Sequence, residues 1–411
     1  MISVVIVCIY ATTTKHALSA KWGGVFFLYI TIISTGIALN AVSPGTLIGG
    51  IRSYFKFLPF FFLPIMYKFS EDQMGKQLKL LLFISLIQCP LGIFQKFVQF
   101  GIKSSGDYVS GTLTSAGQLP ILLACALALV TAFYLRNRIN TKIYITFLFL
   151  LVIPTTLSES KTSVGFIPLA LLLPIYINAK ISGQEKSAKK SMAIFLIFVC
   201  TAITFVAIYD HFAQYGKASR RDGLVSFFTS GTVEKYVNRG ASDQIIVTKL
   251  GYYDKISIPL DRLSDDKFKL FFGLGIGNVQ TSAIKSLSGK YSAEGEKYGA
   301  KGSAIALFLW EIGILGVLAY FIFMYMVFID AKRLSKNRGL NGIIGLGWCA
   351  ALMVTFLSLF FKNPFIDNAN GYLFWYLSGY VVAARCRLEN QPQMMSTKNN
   401  ESNKLTEYKR I

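Results

Sequence analysis

Histidine is nearly absent from this 411-residue chain, which has only His16 and His211. A metal centre draws on several clustered nitrogen, sulfur or carboxylate ligands, and no stretch assembles such a set. No metal and no other cofactor is therefore expected. The six cysteines, Cys8, Cys89, Cys125, Cys200, Cys349 and Cys386, contain no CxxC pair, which argues against a zinc site or a disulfide framework. No P-loop is present, and no basic n-region precedes the apolar residues 1–13 to make a cleavable signal. Charged residues are only 15% of the chain, against about 25% in a typical soluble domain. Acidic residues number 21 against 42 basic ones. The basic residues are scattered in short clusters with no basic domain among them, so no nucleic-acid partner is expected.

What the chain does have is apolar surface. It is 53% hydrophobic, with a mean hydropathy of +0.49, 34 phenylalanines and 21 tyrosines. A soluble core cannot hide apolar runs of this length. A bilayer can, since about 20 apolar residues cross its hydrocarbon core as a helix. The fold expected is all-α, a polytopic transmembrane helical bundle. Its spans fall near 1–14, 22–40, 46–67, 79–100, 117–135, 143–157, 163–179, 191–209, 303–329, 340–361 and 370–385. That makes about 11 spans, or 12 if a helix precedes residue 1.

The loops test this division. Lys15 and Lys21, then Lys68, Lys76 and Lys79, then Arg136, Arg138 and Lys142 occupy every second connection. Lys180, Lys186, Lys189 and Lys190, then Lys332, Arg333, Lys336 and Arg338, then Arg385 and Arg387 continue the series. Alternation of this kind is the positive-inside pattern, and it also gives a topogenic reason for the formal charge of +21. It divides the chain into membrane helices over 1–209, an extracytoplasmic loop over 210–302, membrane helices over 303–385 and a polar, disordered cytoplasmic tail over 386–411. The long loop is expected to form helices lying over the membrane core.

Several polar groups stand out against this background. Arg52 and Lys56 are four apart and share a helix face. They form either an anion clamp reached from outside or a pair snorkelling to the headgroups. Gln88, Gln95 and Gln99 make a polar stripe, read as interhelical hydrogen bonding. Glu159 and Lys161, in the turn SESKTS, are either a solvated pair or part of a site. The long loop carries Arg220, Arg221, Arg239 and Arg262, then FFGLGIGNVQ. Arginine suits pyrophosphate through bidentate, charge-assisted bonds. Gly273, Gly275 and Gly277 miss the dinucleotide spacing, because Asn278 stands at the third position; the turn is either structural or a phosphate nest.

The order of these features resembles the bacterial O-antigen ligase and polymerase superfamily. The resemblance covers roughly residues 80–385. It rests on IQCPLGIFQ, GTLTSAGQLPILLACALAL, TLSESKTSVG, Arg239, LFFGLGIGN and LWEIGILGVLAYF, in that order. It implies metal-independent glycosyl transfer on undecaprenyl-pyrophosphate-linked oligosaccharide, at the outer face of a bacterial cytoplasmic (inner) membrane. The partners implied are the lipid-linked oligosaccharide, membrane lipid, and a chain-length regulator and flippase of the same pathway. Arg239, Glu311 and Glu159 become the candidate catalytic residues. Arg52, Lys161, Arg220, Arg221 and Lys301 become the candidate substrate-binding residues. Ligases of the family carry a histidine shortly before the helix that holds Glu311. Here the stretch reads GAKGSAIALFLWE, with Lys301 and Gly302 near that place. The departure favours polymerisation of repeat units for O-antigen, capsule or exopolysaccharide over a ligase. A flippase or transporter of lipid-linked sugar is the reading without chemistry.

Overall fold

The computed structural model describes residues 20–101, 104–182, 199, 203, 206, 207 and 251–408, with side chains left undescribed at 20, at 182 and beyond 389. Among the described residues every element is helical and no strand occurs. The helices are α1 (Ala20–Leu39), α2 (Pro44–Phe55), α3 (Leu58–Met66), α4 (Glu71–Phe94), α5 (Leu119–Leu135), α6 (Thr141–Leu157) and α7 (Ser163–Ser182). Then come α8 (Asp254–Leu263), α9 (Lys267–Phe272), α10 (Ser292–Lys297), α11 (Ala304–Leu334), α12 (Leu340–Phe361) and α13 (Asn368–Tyr408).

Among the described residues, five stretches are long and apolar enough to cross a membrane: Lys21–Leu39, Glu71–Gln99, Ser163–Ile181, Ala304–Leu334 and Leu340–Phe361. Leu119–Leu135 and Thr141–Leu157 are shorter apolar helices. The chain is thus of the multi-pass membrane type. The expected span 1–14 lies outside the described residues, and 191–209 lies almost wholly outside them.

Local chemistry sets the helix starts. Ser43 caps α2, with Pro44 at the first helical position, where its missing N–H is harmless. Ser70 and Gln73 close a capping box on α4, and Glu71 and Asp72 face the positive end of its dipole. Asn140 caps α6 and Ser303 caps α11. The expected span 46–67 is broken in two at Lys56 and Phe57. Pro59 has no N–H to offer the carbonyl four residues back, so the ladder cannot run through. The tail expected to be disordered is helical backbone to Tyr408.

α12 lies at the centre of the bundle, against α5, α7 and α11. Small residues allow this closeness. A Cβ on Gly347 would meet the Leu129 Cα at 2.8 Å, so the α5 and α12 backbones nearly touch. Trp22, Phe26, Phe61, Phe323 and Trp375 pack as a cluster of tilted and edge-to-face ring pairs where α1, α3, α11 and α13 meet.

The connections separate into two ends. At one, Arg136 donates to the Ser335 carbonyl at 2.5 Å, Arg387 donates to the Pro64 carbonyl at 2.8 Å, and Lys21 lies 3.9 Å from Asp330. The basic connections 68–79, 136–142 and 332–338 belong to this end. At the other, Thr46 donates to the Ser288 carbonyl, Thr114 to Asp367, and Gln118 to the Asn363 carbonyl. The described part of the long connecting segment, 251–302, sits at this second end. Its Leu263, Leu274, Val279 and Ala300 form a small core with Leu307 and Trp310 of α11.

Candidate functional site

The site is built where α11 breaks. Gly313 takes φ +65° and ψ −171° inside that helix, a conformation that favours glycine. The break leaves the carbonyls of Trp310 and Glu311 without their usual helical donors. The glycine turn supplies replacements: Leu274 N–H donates to Trp310 O at 2.8 Å and Gly275 N–H to Glu311 O at 2.9 Å. The turn is held on its other side by α2, where a Cβ on Gly50 would meet the Ile276 carbonyl carbon at 2.6 Å.

The Glu311 side chain is fully buried behind this turn. Its Oε1 accepts from Val279 N–H at 3.4 Å and its Oε2 from Gln280 Nε2 at 2.9 Å. The turn therefore holds a group of the chain itself, the Glu311 carboxyl, through one backbone N–H and the Gln280 side-chain amide. Gln280 passes the connection on, since its Oε1 accepts from Ser53 at 2.8 Å.

In front of Gln280 opens a cavity of about 290 Å³. Its wall is aromatic, with Phe57, Phe308, Phe365 and Trp375, and its polar groups are Ser53, Gln280, Asn363, Lys56 and Lys301. Tyr29, Tyr54 and Tyr320 also line it. The hydroxyls of Tyr54 and Tyr320 are buried and make no hydrogen bond of good geometry, although Tyr54 lies against the Glu311 carboxylate. Lys56 holds Asn368 Oδ1 at 3.2 Å and stands over the Phe57 ring at 4.4 Å. Lys301 holds the hydroxyl and carbonyl of Thr281 at 2.7 and 3.1 Å.

Two further cations adjoin this wall. Lys255 packs against Gly302, and Lys362 against Gly117. Burial and the neighbouring Lys362 charge lower the Lys255 amine below the ordinary lysine value. Among the described residues, none of Lys56, Lys255, Lys301 and Lys362 takes part in a salt bridge. A cavity with flat apolar faces, a few hydroxyl and amide groups and flanking cations has the make-up of a small-molecule site.

The residues singled out in the sequence separate here. Lys301 lines the cavity, and Glu311 backs it through Gln280. Arg52 is exposed on α2, close enough to act electrostatically on Lys56. Glu159 belongs to another cluster: its carboxylate pairs with the fully buried Lys96 at 2.9 Å, and Lys96 also holds the Ser104 carbonyl at 2.8 Å. Lys161 lies half-buried in the same turn as Glu159. Arg262 stacks on Tyr298 and donates to its hydroxyl at 2.8 Å. Arg220, Arg221, Arg239 and both histidines lie outside the described residues. The glutamine stripe binds a loop rather than a helix: Gln88 and Gln95 hold the backbone of Gly111 and Thr112, while Gln99 is exposed. Sequence reasoning missed Ser53, the tyrosines, Lys255 and Lys362; Gln280 closed a motif that had been noticed only for its glycines.

No protein-family model matches the chain, and no curated protein matches it.

Proposed function

We propose that this protein polymerises lipid-linked oligosaccharide repeat units into surface polysaccharide, at the outer face of a bacterial cytoplasmic membrane. The observation that carries the reading is the aromatic cavity at the end opposite the basic connections, with Lys56 and Lys301 in its wall and Glu311 behind it. The positive-inside rule assigns the basic end to the cytoplasm, which leaves the cavity on the extracytoplasmic side.

In this reading the lysines, joined by Arg239, Arg220 and Arg221 from the long loop, hold the pyrophosphate. Neutralised charge makes it a competent leaving group. The acceptor hydroxyl attacks the anomeric carbon, the new C–O bond forms, and the bond to the pyrophosphate oxygen breaks with its electron pair. The acceptor proton passes to the Tyr54 oxygen as the Tyr54 proton passes to Glu311. Positioning of donor and acceptor side by side supplies much of the remaining acceleration. The chain-length regulator and flippase of such a pathway are the protein partners.

One observation favours a transporter of lipid-linked sugar instead. Broken helices are common in transporters, where freed backbone groups bind the cargo, and α11 is broken at Gly313. Here, however, the freed carbonyls are taken by Leu274 and Gly275, so the break serves the fold.

Deleting the gene and analysing surface glycan with its lipid-linked intermediates tests the proposal. Single repeat units on the outer surface are the expected result. Long lipid-linked chains would instead identify a ligase, and single units confined to the cytoplasmic leaflet a flippase.

A further inference from the structure

A second, larger cavity lies at the basic end, between α4, α5, α6 and the start of α12. Its volume is about 510 Å³, and its floor is apolar, with Leu78, Leu82, Val130, Phe133, Phe147 and Ile343. The outward faces of the flanking helices are apolar too: Leu80 and Phe83 on α4, and Ile143 and Phe149 on α6, are exposed. A groove that opens between two such faces opens towards lipid, because water would leave those side chains unfavourably hydrated.

The rim carries Glu71, Asp72, Lys79 and Arg138. Its charges are not equivalent. Asp72 is held by Lys76 at 2.8 Å, and Glu71 sits at the N-terminus of α4 against Gly339. Lys79 and Arg138 make no salt bridge among the described residues. They come from different elements, α4 and the connection after α5. Lys142, Lys332, Arg333, Lys336 and Arg338 belong to the same end of the bundle, so the surrounding field is positive.

We propose that this groove is a binding site for one anionic phospholipid, with its phosphate between Lys79 and Arg138 and an acyl chain along Leu82, Val130 and Phe147. Basic pockets between membrane helices on the cytoplasmic side recognise phospholipid head groups through this combination of charge and apolar depth. The site is separate from the aromatic cavity, and it does not depend on what that cavity does.

The test uses the full chain purified in detergent and exchanged into bilayer discs of phosphatidylcholine with a minor fraction of phosphatidylglycerol. Lipid retained on mild release is counted by native mass spectrometry. The expected result is at least tenfold enrichment of phosphatidylglycerol over its share of the disc. Enrichment should fall to that share in Lys79→Gln/Arg138→Gln and in Val130→Trp, which fills the floor. Equal retention of the two lipids, or enrichment that survives either change, would overturn the proposal. Lys285→Gln, at the opposite end, controls for bulk charge and should retain the enrichment; its loss there would also overturn the site.

Discussion

The Gly275 N–H donates to the Glu311 carbonyl at 2.9 Å, across the point where α11 is broken. That one bond ties the glycine turn, the kinked helix and the cavity wall into a single unit, because the Glu311 side chain is bonded in turn to Gln280. Removing that carboxylate should therefore disturb the wall as well as any chemistry. Glu311→Gln keeps one acceptor oxygen and turns the other into an NH2 that meets the donor of either Val279 or Gln280. The loss of a buried acceptor costs about 1–3 kcal/mol. Thermal unfolding in detergent should show a lower midpoint, together with loss of chain growth. An unchanged midpoint with lost activity would assign Glu311 to chemistry alone.

Gly277 has φ +86°, and a Cβ there would run into the Thr46 carbonyl. Gly277→Ala should destabilise by about 1–3 kcal/mol through backbone strain, with further cost from the clash. Gly165 is helical and a Cβ on it meets nothing within 4 Å, so Gly165→Ala should be neutral or slightly stabilising. Unfolding midpoints of the two variants measured side by side decide the matter, and equal values would contradict the packing described for the turn.

The buried pair Lys96–Glu159 makes a different prediction from that of a catalytic Glu159. Lys96 is fully buried and Glu159 adopts φ +50°. Lys96→Met removes the cation that the carboxylate faces and should cost about 3–5 kcal/mol. Lys96→Met/Glu159→Leu removes both charges and should recover part of the loss. A double variant more damaged than either single one would show that the pair is not the main interaction at this turn.

Much of the helical framework is legible in the sequence, because apolar runs, serine and asparagine caps and basic connections are local signals. The break at Phe57 is not read from the sequence, because the apolar run continues through Pro59 and outweighs it. The site is less legible for a physical reason. Lys255 and Lys362 lie far apart in the chain, and only the closure of the 251–302 segment over α11 brings their charges together. The glycine turn admitted a structural role or a phosphate nest, and spacing alone does not show that it meets the chain's own Glu311 carboxyl group. The stripe of Gln88 and Gln95 pointed to a neighbouring helix and not to the 111–112 loop, since a returning loop leaves no periodic trace.

The cavity lysines should affect substrate handling more than folding. Lys56→Gln and Lys301→Gln each remove a charge from the wall while keeping a polar end on a chain one atom shorter. A lost charge-assisted hydrogen bond is worth about 1.5–3 kcal/mol, or about 10- to 100-fold in binding. The expected outcome is a raised KM for lipid-linked repeat units with near-normal unfolding midpoints. Lys301→Arg should restore part of the affinity, because it returns the charge with a different geometry. Unchanged KM in both glutamine variants would remove these lysines from substrate binding.

The orientation of the bundle is the remaining prediction, and the rest of the proposed chemistry depends on it. Lys285 is exposed at the end that carries the aromatic cavity, and Lys336 is exposed at the basic end. Lys285→Cys should react with a membrane-impermeant thiol reagent in intact cells, whereas Lys336→Cys should react only after permeabilisation. Cys89, Cys125 and Cys349 are buried, and the unaltered chain supplies the background for the other native thiols. The reverse labelling pattern would place Lys56, Lys301 and Glu311 on the cytoplasmic side. Translocated lipid-linked repeat units could not reach them there, so the polymerase reading would be lost even with every packing contact intact.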